Sequence, residues 1–176
     1  MNLEQYIDKA QAKELTGSDI DRMLRGQAPI LPYSSLERYD NIDDVLGPNS
    51  CAVFLYEMIP KQGHWVCMFR DQNGQLIFYD SLGYKMDDEL NFVNKYRKDE
   101  DLPKFSKELT RLTSPEKVVS NTLPIQEDEE NISTCGRYCV MRLLLRDLSN
   151  DDFNRIFTGD DDYSPDFFIT LITSMM

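Results

Sequence analysis

The chain has 176 residues, with 19 Lys and Arg against 31 Asp and Glu, which gives a formal net charge of −12. The length predicts one domain over residues 1–176, and the apolar share of 41% is typical of a globular protein and excludes global disorder. So large an excess of negative charge disfavours DNA and RNA as partners, because binding them requires cations that displace counterions.

The first third of the chain is predicted to be helical and then irregular. Residues 3–12 carry a weak helical pattern. Thr16 is a candidate cap for a second helix, in which apolar residues recur at helical spacing: Ile20, Met23 and Leu24. Three prolines interrupt the segment that follows: Pro29, Pro32 and Pro48.

Three strands are predicted in the middle of the chain. Residues 52–59 are almost wholly apolar, which suits a central strand buried on both faces. Residues 65–69 and 76–79 are two further apolar and aromatic runs. The sequence Asp71-Gln72-Asn73-Gly74 separates them, which is typical of a β-hairpin.

The second half of the chain alternates helices with one strand and one charged loop. In chain order we predict a helix over 87–97, a strand within 118–125, a charged loop over 127–131, a helix over 135–146, and helices capped by Ser149 and Ser164. Together these elements predict an α+β fold, in which helices flank a mixed, mainly antiparallel sheet.

His64 is the only histidine of the chain, so any chemistry that needs an imidazole must use it. If the hairpin closes through a three-residue loop with Gly74 in the left-handed region, Asp71 pairs with Gln75. His64 and Asp80 then share a face of the sheet within contact distance, whereas a two-residue loop would separate them. The three-residue loop therefore predicts a pair in which the carboxylate fixes the imidazole tautomer. The alternative is that Asp80 is only a turn residue.

Cys135 opens a predicted helix, where the helix dipole and free backbone N–H groups favour the nucleophilic thiolate. Gly136 follows it and leaves room for a substrate backbone to approach. An inert structural cysteine is the alternative. The other three cysteines are expected to lie in the core: Cys51, Cys67 and Cys139. Because Cys67 falls on the strand face opposite His64 and no Cys-x-x-Cys pair exists, we expect no metal site.

The ends of the chain bear on its compartment. Residues 1–10 lack the apolar stretch of a secretory signal, so the cysteines are expected to be free thiols in a reducing, intracellular compartment. The longest apolar segment, 167–176, is about half as long as a membrane span requires. We therefore expect no association with a membrane.

Four short motifs occur in an order that resembles a known protease group. They are Gly63-His64-Trp65-Val66, Tyr79-Asp80-Ser81-Leu82, Gln126 and Cys135-Gly136-Arg137-Tyr138-Cys139. Their order is similar to that of the adenovirus-type and ubiquitin-like-protein-specific cysteine proteases. The resemblance covers roughly half of the chain and implies a papain-like α+β core that needs no cofactor.

The resemblance also implies roles for single residues. Four would carry the reaction: Cys135 as nucleophile, His64 as general base, Asp80 as the acid that orients His64, and Gln126 as the oxyanion donor. Three more would contact the substrate: Trp65, Gly136 and Gly63.

Three departures from the group's pattern bear on these roles. Gln126 lies nine residues before Cys135, a longer interval than is typical of the group, and the additional residues belong to the acidic run Glu127–Glu130. Thr134 stands where the cellular deSUMOylating members carry Asp, so the nucleophile motif is closer to that of the adenovirus endopeptidase. Asp80, however, matches the cellular members. The acidic run is either a solvated loop or part of the entrance to the active site, where it would select basic residues in a partner.

A compact, acidic chain of this kind most resembles the maturation proteases of virophages and polinton-type viruses such as mavirus. The resemblance predicts a monomeric cysteine endopeptidase that cleaves viral capsid or core precursors near Gly-containing sites. We expect it in the host cytoplasm, at the viral factory, and in the assembling virion. One alternative is an isopeptidase that cleaves SUMO or ubiquitin after a Gly-Gly tail. Another is a non-catalytic binding module that retains the fold.

Overall fold

A five-stranded mixed sheet lies between two layers of helices. A computed structural model of the chain describes residues 2–59, 62–96, 105–159 and 162–176. The strands are β1 (Ile30–Pro32), β2 (Cys51–Ile59), β3 (Gln62–Arg70), β4 (Leu76–Tyr79) and β5 (Val118–Ser120), and they lie side by side in that order. This architecture confirms the predicted α+β class.

Eight α-helices and one 3₁₀ helix lie within the described residues. The α-helices are α1 (Leu3–Gln11), α2 (Gly17–Met23), α3 (Ile42–Leu46), α4 (Leu90–Tyr96), α5 (Glu108–Thr113), α6 (Cys135–Leu144), α7 (Asn150–Phe157) and α8 (Pro165–Thr173). The 3₁₀ helix covers Tyr33–Arg38. None of the helices described is long and apolar enough to cross a membrane.

The helix caps follow from the sequence. The side chains of Thr16, Ser149 and Ser164 each accept a hydrogen bond from a backbone N–H in the first turn of α2, α7 and α8. The helix predicted over 87–97 is shorter at its start, because α4 begins at Leu90. Its predicted last residue, Arg97, lies outside the described residues.

The hairpin of β3 and β4 has the predicted register. Cys67 pairs with Tyr79 and Arg70 with Leu76, while the Asp71 N–H donates to the Gln75 carbonyl over 3.0 Å. Gly74 has a φ of 77°, a left-handed conformation that a glycine adopts without strain. The odd loop count therefore places even-numbered residues of both strands on one face of the sheet.

Side chains of the central strands alternate between two apolar cores. On one face, Val53, Cys67 and Tyr79 pack with residues of α2, α6, α7 and α8. On the other, Phe54, Met68 and Phe78 pack with residues of α3, α4 and α5. Burial on both faces explains why residues 51–56 of β2 are an unbroken apolar run in the sequence.

The two outer strands differ from the antiparallel centre. β1 pairs with β2 in parallel, and β5 pairs with β4 in parallel. The sequence does not predict β1, the 3₁₀ helix, α3 or α5. These elements are three to six residues long, too short for a periodic pattern to be visible.

Candidate active site

Asp80 directly follows β4 and is fully buried. Its Oδ1 atom accepts one hydrogen bond from His64 Nε2 and one from the Leu82 N–H, each over 2.8 Å. Because this oxygen accepts at His64 Nε2, the proton of the neutral ring is held on that nitrogen. The other ring nitrogen, Nδ1, is therefore free to accept a proton.

A chain of buried polar side chains supports Asp80 from behind. The Asn121 side-chain amide donates to the Asp80 carbonyl over 2.9 Å, and the Asn154 amide donates to Asn121 Oδ1 over 3.1 Å. The Tyr79 hydroxyl in turn donates to Asn154 Oδ1 over 3.0 Å. Sequence reasoning missed Asn121 and Asn154, because nothing in their local sequence distinguishes them from loop and helix residues.

Cys135 is the first residue of α6 and is 5% exposed. A hydrogen bond between this cysteine and His64 is one of the interactions that raise the pKa of His64. Burial by itself lowers that pKa, but the Asp80 carboxylate outweighs it, and Glu89 adds to the effect. The pKa of His64 consequently lies well above its usual value, which favours transfer of the thiol proton to the imidazole.

Gln126 is tied to the residue that follows Asp80. The Ser81 hydroxyl donates to Gln126 Oε1 over 2.7 Å, and the Gln126 N–H donates to the Ser81 carbonyl over 3.0 Å. Since Ser81 occupies the amide oxygen, the amide NH₂ group of Gln126 remains available as a donor. That is the orientation an oxyanion donor requires.

Asp166, in the first turn of α8, clamps both ends of the loop that joins Gln126 to Cys135. Its Oδ2 accepts from the Glu127 N–H over 2.8 Å, and its Oδ1 accepts from the Thr134 hydroxyl. Asp166 thereby holds Glu127 and Thr134 close together at the base of the loop. Gln126 and Cys135, which lie next to these residues, therefore stay near each other despite the long interval between them in the sequence. Sequence reasoning missed Asp166.

Trp65 lies between α6 and a groove of about 1040 Å³. Its indole N–H donates to the Leu15 carbonyl over 3.0 Å. One edge of the ring faces Gly17, which also lines the groove, and another faces Gly136. Trp65 thus lines the groove expected to take a substrate, although only 4% of its surface is exposed.

The two glycines expected to contact substrate have structural reasons for their identity. A Cβ on Gly136 would lie 3.2 Å from both Ile20 and Trp65, so the chain's own side chains fill the room expected there for a substrate. A Cβ on Gly63 would lie 1.9 Å from the Tyr56 carbonyl oxygen, a direct clash with β2. Gly63 therefore permits the β2–β3 pairing that positions the neighbouring His64.

Glu89 is a buried acid that sequence reasoning also missed. Its Oε2 atom lies 3.5 Å from His64 Nε2. Within the described part of the chain, His64, Asp80 and Glu89 are the one group of His, Cys, Asp and Glu side chains close enough to share a metal ion. The remaining cysteines, Cys51, Cys67 and Cys139, are buried free thiols, as predicted.

No protein-family model matches the chain. Uncharacterized protein V9 of Sputnik virophage is 35% identical over 165 residues, which cover 90% of this chain and 93% of that protein. The chain belongs to the family of virophage protein V9.

Two solved structures show a weaker similarity. One is the yeast Ulp1 protease domain in complex with Smt3, the yeast orthologue of SUMO. The protease domain is 14% identical to this chain, and the match covers 93% of this chain and 78% of the protease domain, with a TM-score of 0.39. The other is the Chlamydia trachomatis effector Cdu1 bound to ubiquitin, which is 19% identical over 99% of this chain and 78% of its own, with a TM-score of 0.41.

Proposed function

We propose that the chain is a cysteine endopeptidase in which Cys135, His64 and Asp80 form the catalytic triad. The observation that carries the proposal is the 2.8 Å bond from His64 Nε2 to the buried Asp80 carboxylate, with the Cys135 thiol at the same imidazole. This arrangement holds an imidazole in one tautomer and leaves its second nitrogen facing a thiol. A Cys–His pair oriented by a third group is the arrangement that nucleophilic catalysis requires.

The acylation step follows from these positions. His64 Nδ1 takes the thiol proton, and Cys135 Sγ attacks the scissile carbonyl carbon. The tetrahedral intermediate then collapses, and the C–N bond breaks as the imidazolium returns the proton to the leaving amine. The product is a thioester between Cys135 and the new C-terminal residue of the substrate.

Deacylation reverses the roles with water in place of the amine. His64 removes a proton from a water molecule, whose oxygen attacks the thioester carbonyl. The C–S bond breaks, and the proton returns to the Cys135 sulfur. Asp80 keeps its charge throughout and stabilises the imidazolium that forms in each half.

Gln126 is our candidate for stabilising the oxyanion of both intermediates. Ser81 fixes its amide oxygen, so the NH₂ group is the part free to donate. The proposed second donor is the Cys135 backbone N–H at the start of α6. Donors of this kind lower the barrier because they are already oriented before charge develops.

For a biological role, we propose the maturation of viral capsid or core precursors. Membership in a family with a virophage protein supports a viral role, and the groove beside Trp65 is large enough for an extended polypeptide. The closer likeness to mavirus stays a prediction. The proposed sites contain Gly, as the resemblance to the adenovirus-type proteases implies.

The test compares cut ends produced by three chains: wild type, Cys135→Ala, and Cys51→Ala as a matched control. Each is incubated with virion precursor proteins and, separately, with ubiquitin and SUMO precursors, and new N-termini are mapped by mass spectrometry. We expect new ends at Gly-containing sites in a structural precursor with wild type and Cys51→Ala, and none with Cys135→Ala.

Two other outcomes would overturn parts of the proposal. Cuts confined to the ubiquitin or SUMO precursors, after their Gly-Gly tails, would make the chain an isopeptidase with the same triad. Identical maps for wild type and Cys135→Ala would mean that the chain is not a cysteine protease and acts through binding alone.

A further inference from the structure

Two carboxylate oxygens beside His64 accept no hydrogen bond from an N–H or O–H group of the described residues. They are Asp80 Oδ2 and Glu89 Oε2, and both are buried. Asp80 is 0% exposed and Glu89 is 7% exposed. Leaving a buried acceptor unpaired is costly, and more so when it is charged. The two carboxyl groups approach each other to within 4.8 Å, so a proton carried by one of them is available to pair with the other.

The charges around His64 do not balance if every acid is ionised. The imidazolium has Asp80 at 2.8 Å and Glu89 at 3.5 Å, so two carboxylates share one cation. Asp128, from the acidic loop, adds a further negative charge near Glu89, and Glu14 faces His64 from the segment between α1 and α2. No Lys or Arg forms an ion pair with Glu89 among the described residues.

The acidity of Glu89 agrees with an excess of negative charge at this point. Burial raises the pKa of Glu89 to about 7. His64 opposes the rise, while Asp80 and Asp128 add to it, Asp80 partly through a hydrogen bond with Glu89. At neutral pH a large share of the molecules therefore carries a proton on this carboxyl group.

We propose that Glu89 is a positioning residue that donates a proton from Oε2 to Asp80 Oδ2 in a shared hydrogen bond. The bond pairs both orphaned oxygens and removes one buried charge. It also fixes the second oxygen of Asp80, so that Oδ1 stays aimed at His64 Nε2. This proposal deepens the proposed function, since it concerns the same imidazole.

The hydrogen bond also sets how strongly His64 holds its proton. With Glu89 neutral, one carboxylate faces one imidazolium. When Glu89 ionises, the imidazolium gains a second negative neighbour and gives up its proton less readily. Glu89 thereby limits the pH range in which His64 returns a proton to a leaving group.

The test uses the fact that His64 is the only histidine of the chain, so its imidazole gives one set of NMR signals. Its proton resonance is titrated in Cys135→Ala, which removes the thiol at that imidazole, and in Cys135→Ala with Glu89→Gln. In the first chain we expect two steps, one near pH 7 as Glu89 ionises and one at higher pH as His64 does. With Glu89→Gln we expect one step, moved to lower pH by about one unit or more.

Glu129→Gln in the same background is the matched control, because it removes an exposed acid of the acidic loop that contains Asp128, and it should keep both steps. A single step in Cys135→Ala that Glu89→Gln does not move would overturn the proposal. So would a titration changed by equimolar Zn²⁺ in Cys135→Ala but not with Glu89→Gln, because the gap would then take a cation. The readout uses no activity, so its failure would leave the proposed protease chemistry untouched.

Discussion

At the scale of single residues, the contact between His64 and Asp80 depends on the number of residues in a turn. The three-residue loop between Asp71 and Gln75 sets the register of β3 and β4, and the register puts the two side chains on one face. Asp80 Oδ1 then accepts from two N–H donors at once. Two N–H donors bind a carboxylate oxygen, which carries negative charge, more strongly than a neutral oxygen.

Asp80→Asn is expected to lower kcat by about 10³-fold or more while leaving the chain folded. The neutral amide no longer stabilises the imidazolium, and turned to its NH₂ side it holds the wrong tautomer of His64. The measurement is kcat on the substrate found by the mapping of cut ends, together with thermal unfolding of the variant.

Asp88→Asn is the control for this substitution, since Asp88 is an exposed acid that lies outside the site. It should behave as wild type. Full activity in Asp80→Asn would show that another group orients His64, and Glu89 would then be the first residue to test.

The sequence predicts Asp80 but neither Glu89 nor Asp166, and the reason is the distance along the chain over which each acts. Asp80 is related to His64 by one hairpin, whose turn chemistry is local. Asp166 reaches back to Glu127 and Thr134 from a different helix. In the sequence it resembles any acid in a first helical turn, where the helix dipole alone would explain it.

At the scale of elements, α8 holds the loop that connects Gln126 to α6. Asp166→Asn replaces one acceptor oxygen by a donor, so one end of the loop is released. We expect kcat to fall by about tenfold to a hundredfold, because small displacements of catalytic groups are costly. Hydrogen exchange over residues 127–134 should become faster at the same time.

Asp151→Asn makes the same change in the first turn of α7 at an exposed side chain, and should alter neither quantity. Faster hydrogen exchange over residues 127–134 without a change in kcat would show that the position of this loop does not affect catalysis. Gln126 would then have to be held by Ser81 alone.

Long or locally capped elements are predictable from this sequence, and short elements that depend on a partner are not. β2 and α6 have nine and ten residues and strong apolar patterns. β1 has three residues and exists because it pairs with Val53 to Leu55 of β2. Its Pro32 argues against a strand in isolation, but β1 lies at the edge of the sheet, where proline is tolerated.

At the scale of the whole molecule, Glu89 makes the stability of the fold depend on pH. Its pKa rises from 4.5 to about 7 on folding, so between these values the native state binds more protons than the unfolded state. The free energy of unfolding therefore falls as pH rises through this window. The loss amounts to about 3 kcal/mol above pH 7.

Glu89→Gln removes this loss, so the variant should gain stability relative to wild type between about pH 5 and pH 8. Urea unfolding of both chains at the two pH values measures the gain. Glu37→Gln, at an exposed position, should track wild type. A constant difference between Glu89→Gln and wild type would contradict the raised pKa.

At the scale of the whole molecule, hydrogen bonds to residues near the beginning and the end of the chain support α6. Arg137, two residues after Cys135, donates to the Ala10 carbonyl and to the Thr173 hydroxyl, and the Ser133 N–H donates to the Gln11 carbonyl. During translation, His64 and Asp80 emerge from the ribosome long before α8 does. The nascent polypeptide therefore lacks the Thr173 contact that supports α6 until α8 has been synthesised, so Cys135 is not fully braced before that point.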